Sequence, residues 1–568
     1  MNARDILNHQ NFEVNDEQYR AVGDYGMAAS ATQEASDIGA EVLRNGGNAA
    51  DAIVAMQFAM AVSEPFNTGV GASGFIVYHD KSSGETKVFN GHSKAPLSAH
   101  PELCLDEKGN LIPFVERTMN ESFVGIPGIM KALDTINKTY GTKDLGELID
   151  PSIDLAENGI KVNFLWDMAL KLYGSRVGDS ARDFFFPKGV PLVEGDIVRN
   201  KALAKTFRIF KEEGIDALYK GRIGQAIVDR LQSHNGHMEM SDLENYECEI
   251  QDPIVRNYRG FDVAVPAPPN GGGTNVLQIL KIIEQFDLSK YNPSSWEKYF
   301  ILSEAMRLVF SDKLAYMSDP NFHNIPVNGL LDPEYIAERA KFIDFNGRNP
   351  DIDFGNPWKY DDSTMETGAA SQKRSEGGGE TTHFTAVDRW GNVAACTSSL
   401  EHYFGAGIMI EEYGFLLNND LTDFKAEKNH INEMRGGKYP VSAKCPTIIL
   451  KDGEPFMTLG SPGGPTIVSS VAHVILNVID FKMDLKEAIE HPRIYNSTAP
   501  EVWVEDDFDE RVKEKLRSLG IEILDDSLPI GNVQAILIDQ DNNRLYGAAD
   551  STRPGKATGV WKEDAERL

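Results

Sequence analysis

Cysteine and histidine are scarce in this chain of 568 residues, which contains 4 cysteines and 12 histidines. The cysteines include no CxxC pair, which excludes a disulfide scaffold and indicates reduced structural thiols. They are Cys104, Cys248, Cys396 and Cys445. No HExxH motif is present, and His92 and His100 lie in a loop-like stretch without further ligands. We therefore expect no metal and no cofactor.

Positive charge and long apolar runs are also in short supply. The formal net charge is −30, and such a field repels polyanions, so neither nucleic acid nor an anionic membrane is expected as a partner. The most apolar helix-like segment, residues 49–62, is interrupted by Asp51 and Gln57 and falls short of the ~20 apolar residues that span a bilayer. The N-terminal stretch lacks a basic region followed by an apolar one, which favours a cytoplasmic location.

What the chain does contain is enough apolar material for a large core. Hydrophobic residues make up 41% of it, which predicts one large domain or two closely packed ones. Helical patterns dominate residues 120–250, and a helix is predicted over 32–44, followed by another that Asn48 caps with Asp51 in its first turn. Alternating strands follow residue 381. Strand layers between helical layers predict an α+β fold.

The clearest boundary lies at residues 350–380, which are rich in Gly, Ser, Asp and charge and read as a flexible linker. The linker ends in GGGETTHFTAV, where glycines pass directly into a strand. A plain linker entering a domain is one interpretation. The other is a cut between Glu380 and Thr381, because a threonine hydroxyl needs an adjacent base. The freed α-amine of Thr381, with a reference pKa of ~7.7 to 8.0, would be that base.

Two further stretches would complete a site for acyl transfer. A hairpin is predicted around the turn RWGN, and a symmetric register across it places Thr382 opposite Ser399, one rung from Thr381. In TLGSPGGPTIV, a strand, a glycine turn and a helix follow one another. This order presents the backbone N–H groups of Gly463 and Gly464 to developing negative charge, although such turns also serve structural roles.

In their order along the chain, these motifs resemble the γ-glutamyltransferase family of N-terminal-nucleophile hydrolases. The resemblance covers residues 25–555 and rests on ASDIGAEVLRNGGNAADAIVA, GVGASGFIVYH, APPNGGGT, EAMRLVFSDKLAYMSDP, GETTHFTAVDRWGNVAACTSSL, GFLLNNDLTDF and LGSPGGPTIV. It implies a four-layer αββα sandwich formed jointly by the two subunits of a self-cleaved precursor. The large subunit would be residues 1–380 and the small one residues 381–568.

The resemblance also implies roles for single residues. The chain would be cut between Glu380 and Thr381, after which Thr381 is the nucleophile and its α-amine the base. Ser399 would hydrogen-bond to the nucleophile and orient it. Gly463 and Gly464 would form the oxyanion hole.

The carboxylate side of the implied substrate pocket departs from the family pattern. His92 stands where glutathione-using members carry an arginine that clamps the substrate's α-carboxylate, and Lys94 would replace that arginine only as a point charge. Ser442 keeps one of the family's paired serines, and Ala443 replaces the other. A strong bidentate donor is therefore missing.

The ammonium side of the pocket is unusually acidic. The family's Asn and Gln near the α-amino group become Glu401 and Asp420, and Asp423 is retained. Carboxylates are thus concentrated where an ammonium group would bind, while donors are lost on the other side. An amine-bearing acyl group without the α-carboxylate would fit better.

Three functions stay open from the sequence. The first is a threonine amidohydrolase or acyltransferase that cleaves γ-glutamyl amides such as glutathione and passes the acyl group to water or to an amine or peptide acceptor. The second is the same catalyst with a non-glutamyl acyl group or a γ-linked polymer. The third is an uncleaved, silent binding protein, which the retention of Thr381, Ser399, Gly463 and Gly464 disfavours. The expected partners are a small-molecule amide and the chain's own subunits.

Overall fold

The structure is a computed structural model that describes residues 2–10, 16, 18–365, 379–524 and 529–566. Within these ranges, two seven-stranded sheets form the centre of the fold. Their strands are β1 (Arg20–Gly23), β2 (Gly26–Ser30), β3 (Ser73–Asp80), β4 (Glu85–Gly91), β5 (Glu249–Gln251), β6 (Ile254–Tyr258), β7 (Phe261–Val265), β8 (Glu380–Val387), β9 (Val393–Glu401), β10 (Thr447–Lys451), β11 (Glu454–Gly460), β12 (Gln534–Asp539), β13 (Arg544–Ala549) and β14 (Lys556–Val560).

The two sheets stack face to face. The first sheet has the order β14-β2-β8-β9-β3-β4-β5 and the second β1-β13-β12-β11-β10-β7-β6. Successive side chains of a strand point to opposite faces, so on β9 the side chains of Val393 and Ala395 pack between the sheets. Those of Ala394 and Cys396 pack against helices instead. Both faces of β9 are therefore buried, and the strand lies in the middle of the sandwich.

Helices cover the outer face of each sheet. One hydrophobic core joins the first sheet to α1 (Gln33–Arg44), α2 (Ala49–Ser63), α3 (Ile129–Tyr140), α4 (Leu145–Asn158), α5 (Lys201–Glu213) and α6 (Arg222–Gln232). The second packs against α7 (Gly271–Ile283), α8 (Trp296–Tyr316) and α9 (Thr466–Ile479). The order helix, sheet, sheet, helix confirms the predicted αββα fold.

Shorter helices and strands lie around the two sheets and their helices. The short α-helices are Ala3–Leu7, Phe114–Arg117, Phe164–Tyr173, Asp179–Phe185, Asp216–Tyr219, Met240–Glu244, Val327–Leu330, Pro333–Ala340, Leu485–Glu490, Glu510–Ser518 and Lys562–Ala565. Minor strands lie at Ile160–Lys161, Ile197–Val198, Met409–Ile410, Phe415–Leu416, Ile494–Tyr495, Glu501–Val504 and Glu522–Ile523.

The buried helix α2 begins as the sequence predicts. The side chain of Asn48 accepts a hydrogen bond from Asp51 N at 2.9 Å, and the Asp51 carboxylate accepts one from Asn48 N at 2.8 Å. This reciprocal cap satisfies two backbone donors and lets α2 be buried along its whole length. Among the described residues, no helix is both long enough and apolar enough to cross a membrane.

The predicted linker at 350–380 is described only in part. Its first half packs against the body of the protein: Tyr316 Oη donates to Gly355 O at 2.5 Å, and Gly329 N donates to Asp361 at 2.8 Å. Residues 366–378 lie outside the described residues. Gly379 and Glu380 lead directly into β8.

Candidate active site

The pairing of β8 with β9 brings the predicted nucleophile and its predicted neighbour together. Strands β8 and β9 pair Glu380 with Glu401 and Thr382 with Ser398, with a shift of register between these pairs. The expectation that Thr382 faces Ser399 is therefore wrong by one residue. The register is regular from the turn up to Thr382, so the error lies in the turn, where five residues (388–392) and not four connect the paired strand ends. Continued by one residue, this register places Ser399 opposite Thr381, and the bulge adds one residue to β9 beyond that point.

Ser399 links the hydroxyl of Thr381 to the preceding peptide bond. Thr381 Oγ1 lies 3.5 Å from Ser399 Oγ, at the outer limit of a hydrogen bond. Ser399 Oγ donates at 2.5 Å to the carbonyl oxygen of Glu380 and accepts from Glu401 N at 2.7 Å. Glu401 has φ +79°, a conformation that costs energy in a non-glycine residue. The loop after Ser399 thus holds its hydroxyl on the Glu380–Thr381 bond.

Arg553 fixes the peptide bond from the other side. Its Nη1 donates to Thr381 O at 2.9 Å and to Glu64 at 3.1 Å, and its Nη2 donates to the Glu380 carboxylate. That carboxylate also accepts from Thr381 N at 3.0 Å. Glu64 is fully buried; burial raises its pKa, and the charge of Arg553 opposes that rise. A buried ionic cluster therefore clamps both residues of the bond.

The glycine turn lies against the residue just before that bond. Gly463 and Gly464 have φ of +120° and +55°, values that glycine adopts without strain. A Cβ on Gly464 would lie 2.6 Å from the backbone N of Gly379. Only glycine allows this close approach, so backbone of the turn sits beside the segment that leads to Thr381.

A pocket that is partly open to solvent lies at Thr381. Of the predicted residues, it is lined by Thr381, Glu401, Asp423, Ser442, Ala443 and Gly464. Three lysines that the sequence reasoning did not assign to the pocket also line it: Lys313, Lys425 and Lys444. The pocket is therefore lined by both acidic and basic side chains.

The acidic side of the pocket is built around Lys444. This lysine is 3% exposed, and its Nζ lies 3.4 Å from Asp420 and 3.8 Å from Glu401. Burial and the charge of Asp423 raise the pKa of Glu401 well above its usual value. Burial, only partly offset by Lys444, raises the pKa of Asp423 to about 6. Asp423 is therefore mostly charged at neutral pH.

His92 does not line this pocket. It is fully buried, and its two ring nitrogens lie 3.3 Å from Ser73 Oγ and 3.0 Å from Pro440 O. Burial and the nearby Lys444 lower the pKa of His92 to about 3, so the ring is neutral. Lys94 is also outside the pocket, 3.4 Å from Glu249. Neither residue supplies the charge of the missing arginine.

For two of the unassigned lysines, the sequence contains a feature that could have drawn attention to them. Lys444 lies two residues after Ser442, which the family pattern assigns to the pocket. Lys313 lies in SEAMRLVFSDKLAYMSDP, where a charged pair interrupts a largely apolar helix. Neither feature shows that the lysine side chain reaches the pocket, because only the packing of α8 against the 441–444 segment brings both lysines to Thr381.

Comparison with known proteins agrees with this geometry. A glutathione hydrolase proenzyme of Bacillus subtilis (strain 168) is 43% identical over 540 residues, covering 95% of this chain and 92% of that protein. An acylase ACY 1 proenzyme of Pseudomonas sp. (strain SE83) is 31% identical, covering 94% and 93%. The crystal structure of cephalosporin acylase from Bacillus halodurans superposes with a TM-score of 0.85 at 26% identity, covering 97% and 98%. Since the sequence profile of gamma-glutamyltranspeptidase also matches residues 35–560, the chain belongs to the gamma-glutamyltranspeptidase family.

Proposed function

We propose that this enzyme cuts its own chain between Glu380 and Thr381 and then uses Thr381 to hydrolyse or transfer γ-glutamyl amides such as glutathione. The observation that carries the proposal is the Ser399 hydroxyl, 2.5 Å from the Glu380 carbonyl oxygen and 3.5 Å from Thr381 Oγ1. One side chain thus contacts both the bond to be cut and the nucleophile. The proenzymes of the relatives support the same order of events.

In the cut, Thr381 Oγ adds to the carbonyl carbon of Glu380, and the bond from that carbon to Thr381 N breaks. The hydroxyl proton ends on the nitrogen, which becomes the α-amine. Ser399 polarises the carbonyl by donating to its oxygen, where negative charge develops. Water then hydrolyses the resulting ester, which releases the Glu380 carboxylate and restores the Thr381 hydroxyl.

In turnover, the α-amine of Thr381 takes the hydroxyl proton as Oγ attacks the amide carbon of the substrate. The amide nitrogen leaves with a proton, and an acyl ester on Thr381 remains. Water or an amine attacks this ester and regenerates the enzyme. Backbone N–H groups of Gly463 and Gly464 are proposed to stabilise the oxyanion, supported by the approach of Gly464 to Gly379.

The role of Ser399 is tested by Ser399→Ala. Loss of a donor to the developing oxyanion costs about 10²- to 10³-fold in rate, so self-cleavage, followed by intact mass over time, should slow by that factor. Ser398→Ala is the matched control, because Ser398 Oγ bonds to Thr68 Oγ1 at 2.6 Å instead. Cleavage of Ser399→Ala at the wild-type rate would exclude the proposed role.

The acidic side of the pocket predicts a pH dependence of KM. A carboxyl with a pKa of about 6 is charged above that pH and neutral below it, so the site for the substrate's ammonium group weakens on acidification. For a single proton, KM for γ-glutamyl-p-nitroanilide should rise about tenfold from pH 7 to pH 5. In Asp423→Asn, KM should be high and nearly flat. A wild-type KM that stays constant over this range would contradict the assignment.

The same catalyst acting on another acyl group is the second candidate. It is favoured by the position of His92, which is neutral and outside the pocket, and by the acylase among the relatives. Turnover of γ-glutamyl-p-nitroanilide beside 4-aminobutanoyl-p-nitroanilide, which lacks the α-carboxylate, distinguishes the two. A preference for the γ-glutamyl compound supports the first candidate; a preference for the other supports the second.

A further inference from the structure

Lys313 is the pocket lysine whose ammonium group makes no hydrogen bond or salt bridge with the described residues. It lies in the last turns of α8 and lines the pocket together with Thr381. Within the described ranges, no hydrogen bond or salt bridge involves its Nζ; the nearest recorded contact is the ring of Phe310, whose centroid is 5.6 Å away. Burial lowers the pKa of Lys313. A partly buried cation facing a cavity is stabilised by an anion that enters it.

The other two lysines of the pocket do not offer the same opportunity. Lys444 is held between Asp420 and Glu401, so its charge is already balanced by the protein. Lys425 has interactions of its own with the protein. Among these three lysines of the described residues, Lys313 is therefore the one that can still donate to a ligand.

Lys313 also lies on the side of the pocket where hydrogen-bond donors are missing in comparison with the family pattern. A Cβ placed on Gly271 would lie 3.6 Å from Lys313 Cε, 3.0 Å from Val441 Cγ1 and 3.5 Å from Ser442 O. The end of the lysine stem and the backbone of Ser442 therefore both face Gly271. Asp423 is close enough for its charge to act on Lys313, so a cation and an anion adjoin in one wall.

We propose that Lys313 binds the carboxylate of the substrate's acyl group while Asp423 binds its ammonium group. The pocket then selects a zwitterionic acyl head such as γ-glutamyl, without an arginine at position 92. This inference rests on the proposed function and adds the residue that decides the acyl class. An ammonium binds carboxylate as a point charge, whereas arginine offers a two-pronged donor.

The test is Lys313→Met, assayed with γ-glutamyl-p-nitroanilide and with 4-aminobutanoyl-p-nitroanilide. KM for the first should rise at least about tenfold, since one charge-assisted hydrogen bond is lost. KM for the second should change less than about twofold, because it carries no carboxylate to lose. Lys313→Arg should recover most of the affinity. Lys94→Met is the matched control and should leave both KM values unchanged.

Binding of the free acids gives a second readout that does not need turnover. By calorimetry, wild-type enzyme should bind L-glutamate more tightly than 4-aminobutanoate, and Lys313→Met should remove this difference. Equal effects of Lys313→Met on both compounds, or none, would overturn the proposal. So would a wild type that does not distinguish the two acids. Intact mass separates this from a failure of the proposed function, since a cut at Thr381 with no carboxylate preference rejects Lys313 alone.

Discussion

Thr381→Ala should leave a single uncut chain of 62.8 kDa, whereas the wild type separates into two fragments divided between Glu380 and Thr381. The variant keeps the contacts of Ser399 and Arg553 to Glu380 but has no hydroxyl to attack the carbonyl. Activity on γ-glutamyl-p-nitroanilide should fall by at least about 10⁴-fold, because a missing nucleophile removes the whole covalent pathway. Intact-mass spectrometry of freshly purified protein measures the first effect directly.

Two further variants make this result specific. Thr381→Ser retains a hydroxyl and should still be cut, though more slowly. Thr382→Ala removes a neighbouring threonine hydroxyl and should be cut like the wild type. A Thr381→Ala chain that is still cut before residue 381 would reject the mechanism, and an uncut wild type would leave the enzyme as a dormant precursor.

Arg553→Met should both destabilise the uncut protein and slow its maturation. The substitution leaves the carboxylates of Glu64 and Glu380 without their shared cation. Breaking a buried ionic cluster in this way costs about 3 to 5 kcal/mol. The amount will lie toward the lower value, because Glu64 can take up a proton. The Glu380–Thr381 bond also loses its clamp at Thr381 O, so cutting should slow.

Thermal unfolding and the time course of cleavage measure these two effects separately. The stability of Arg553→Met is compared with that of its parent in the Thr381→Ala background. Its rate of cleavage is compared with that of the wild type in the active background. Lys556→Met is the control, because Lys556 lies on neighbouring β14 and pairs with Asp37 near the surface at 2.7 Å, a contact worth about 1 kcal/mol or less. A rate of cutting in folded Arg553→Met that equals the wild type would show that the clamp is only structural.

The sequence predicted the fold well wherever local rules decide the structure. The cap at Asn48 and the hairpin around RWGN are read from neighbouring residues, and both are as expected. The one-residue error at Thr382 arose in the turn, where five residues rather than four separate the paired ends of β8 and β9. The proximity of Thr381 and Ser399 was nevertheless predicted, since the actual register places these two residues opposite each other.

The chemistry of the pocket was much less predictable than its backbone. Thr381, Asp423 and Ser442 were found because the family motifs carry them. His92 was assigned to the pocket by alignment alone, and burial behind Pro440 keeps it out. Lys313 was missed because its role depends on having no partner. Residues distant in sequence decide whether a charge is already balanced. The charge of Lys444, for example, is balanced by Asp420.

The order of strands has a consequence for the protein after cutting. The first sheet joins residues on opposite sides of the cut at three seams, β14 with β2, β2 with β8 and β9 with β3; the second does so at two, β1 with β13 and β10 with β7. The fragments would stay associated, since separating them requires opening both sheets. Refolding would nevertheless change in molecularity: an uncut chain recovers alone, whereas two fragments must meet, so their recovery depends on concentration. Maturation would thus make recovery from unfolding depend on the concentration of the protein.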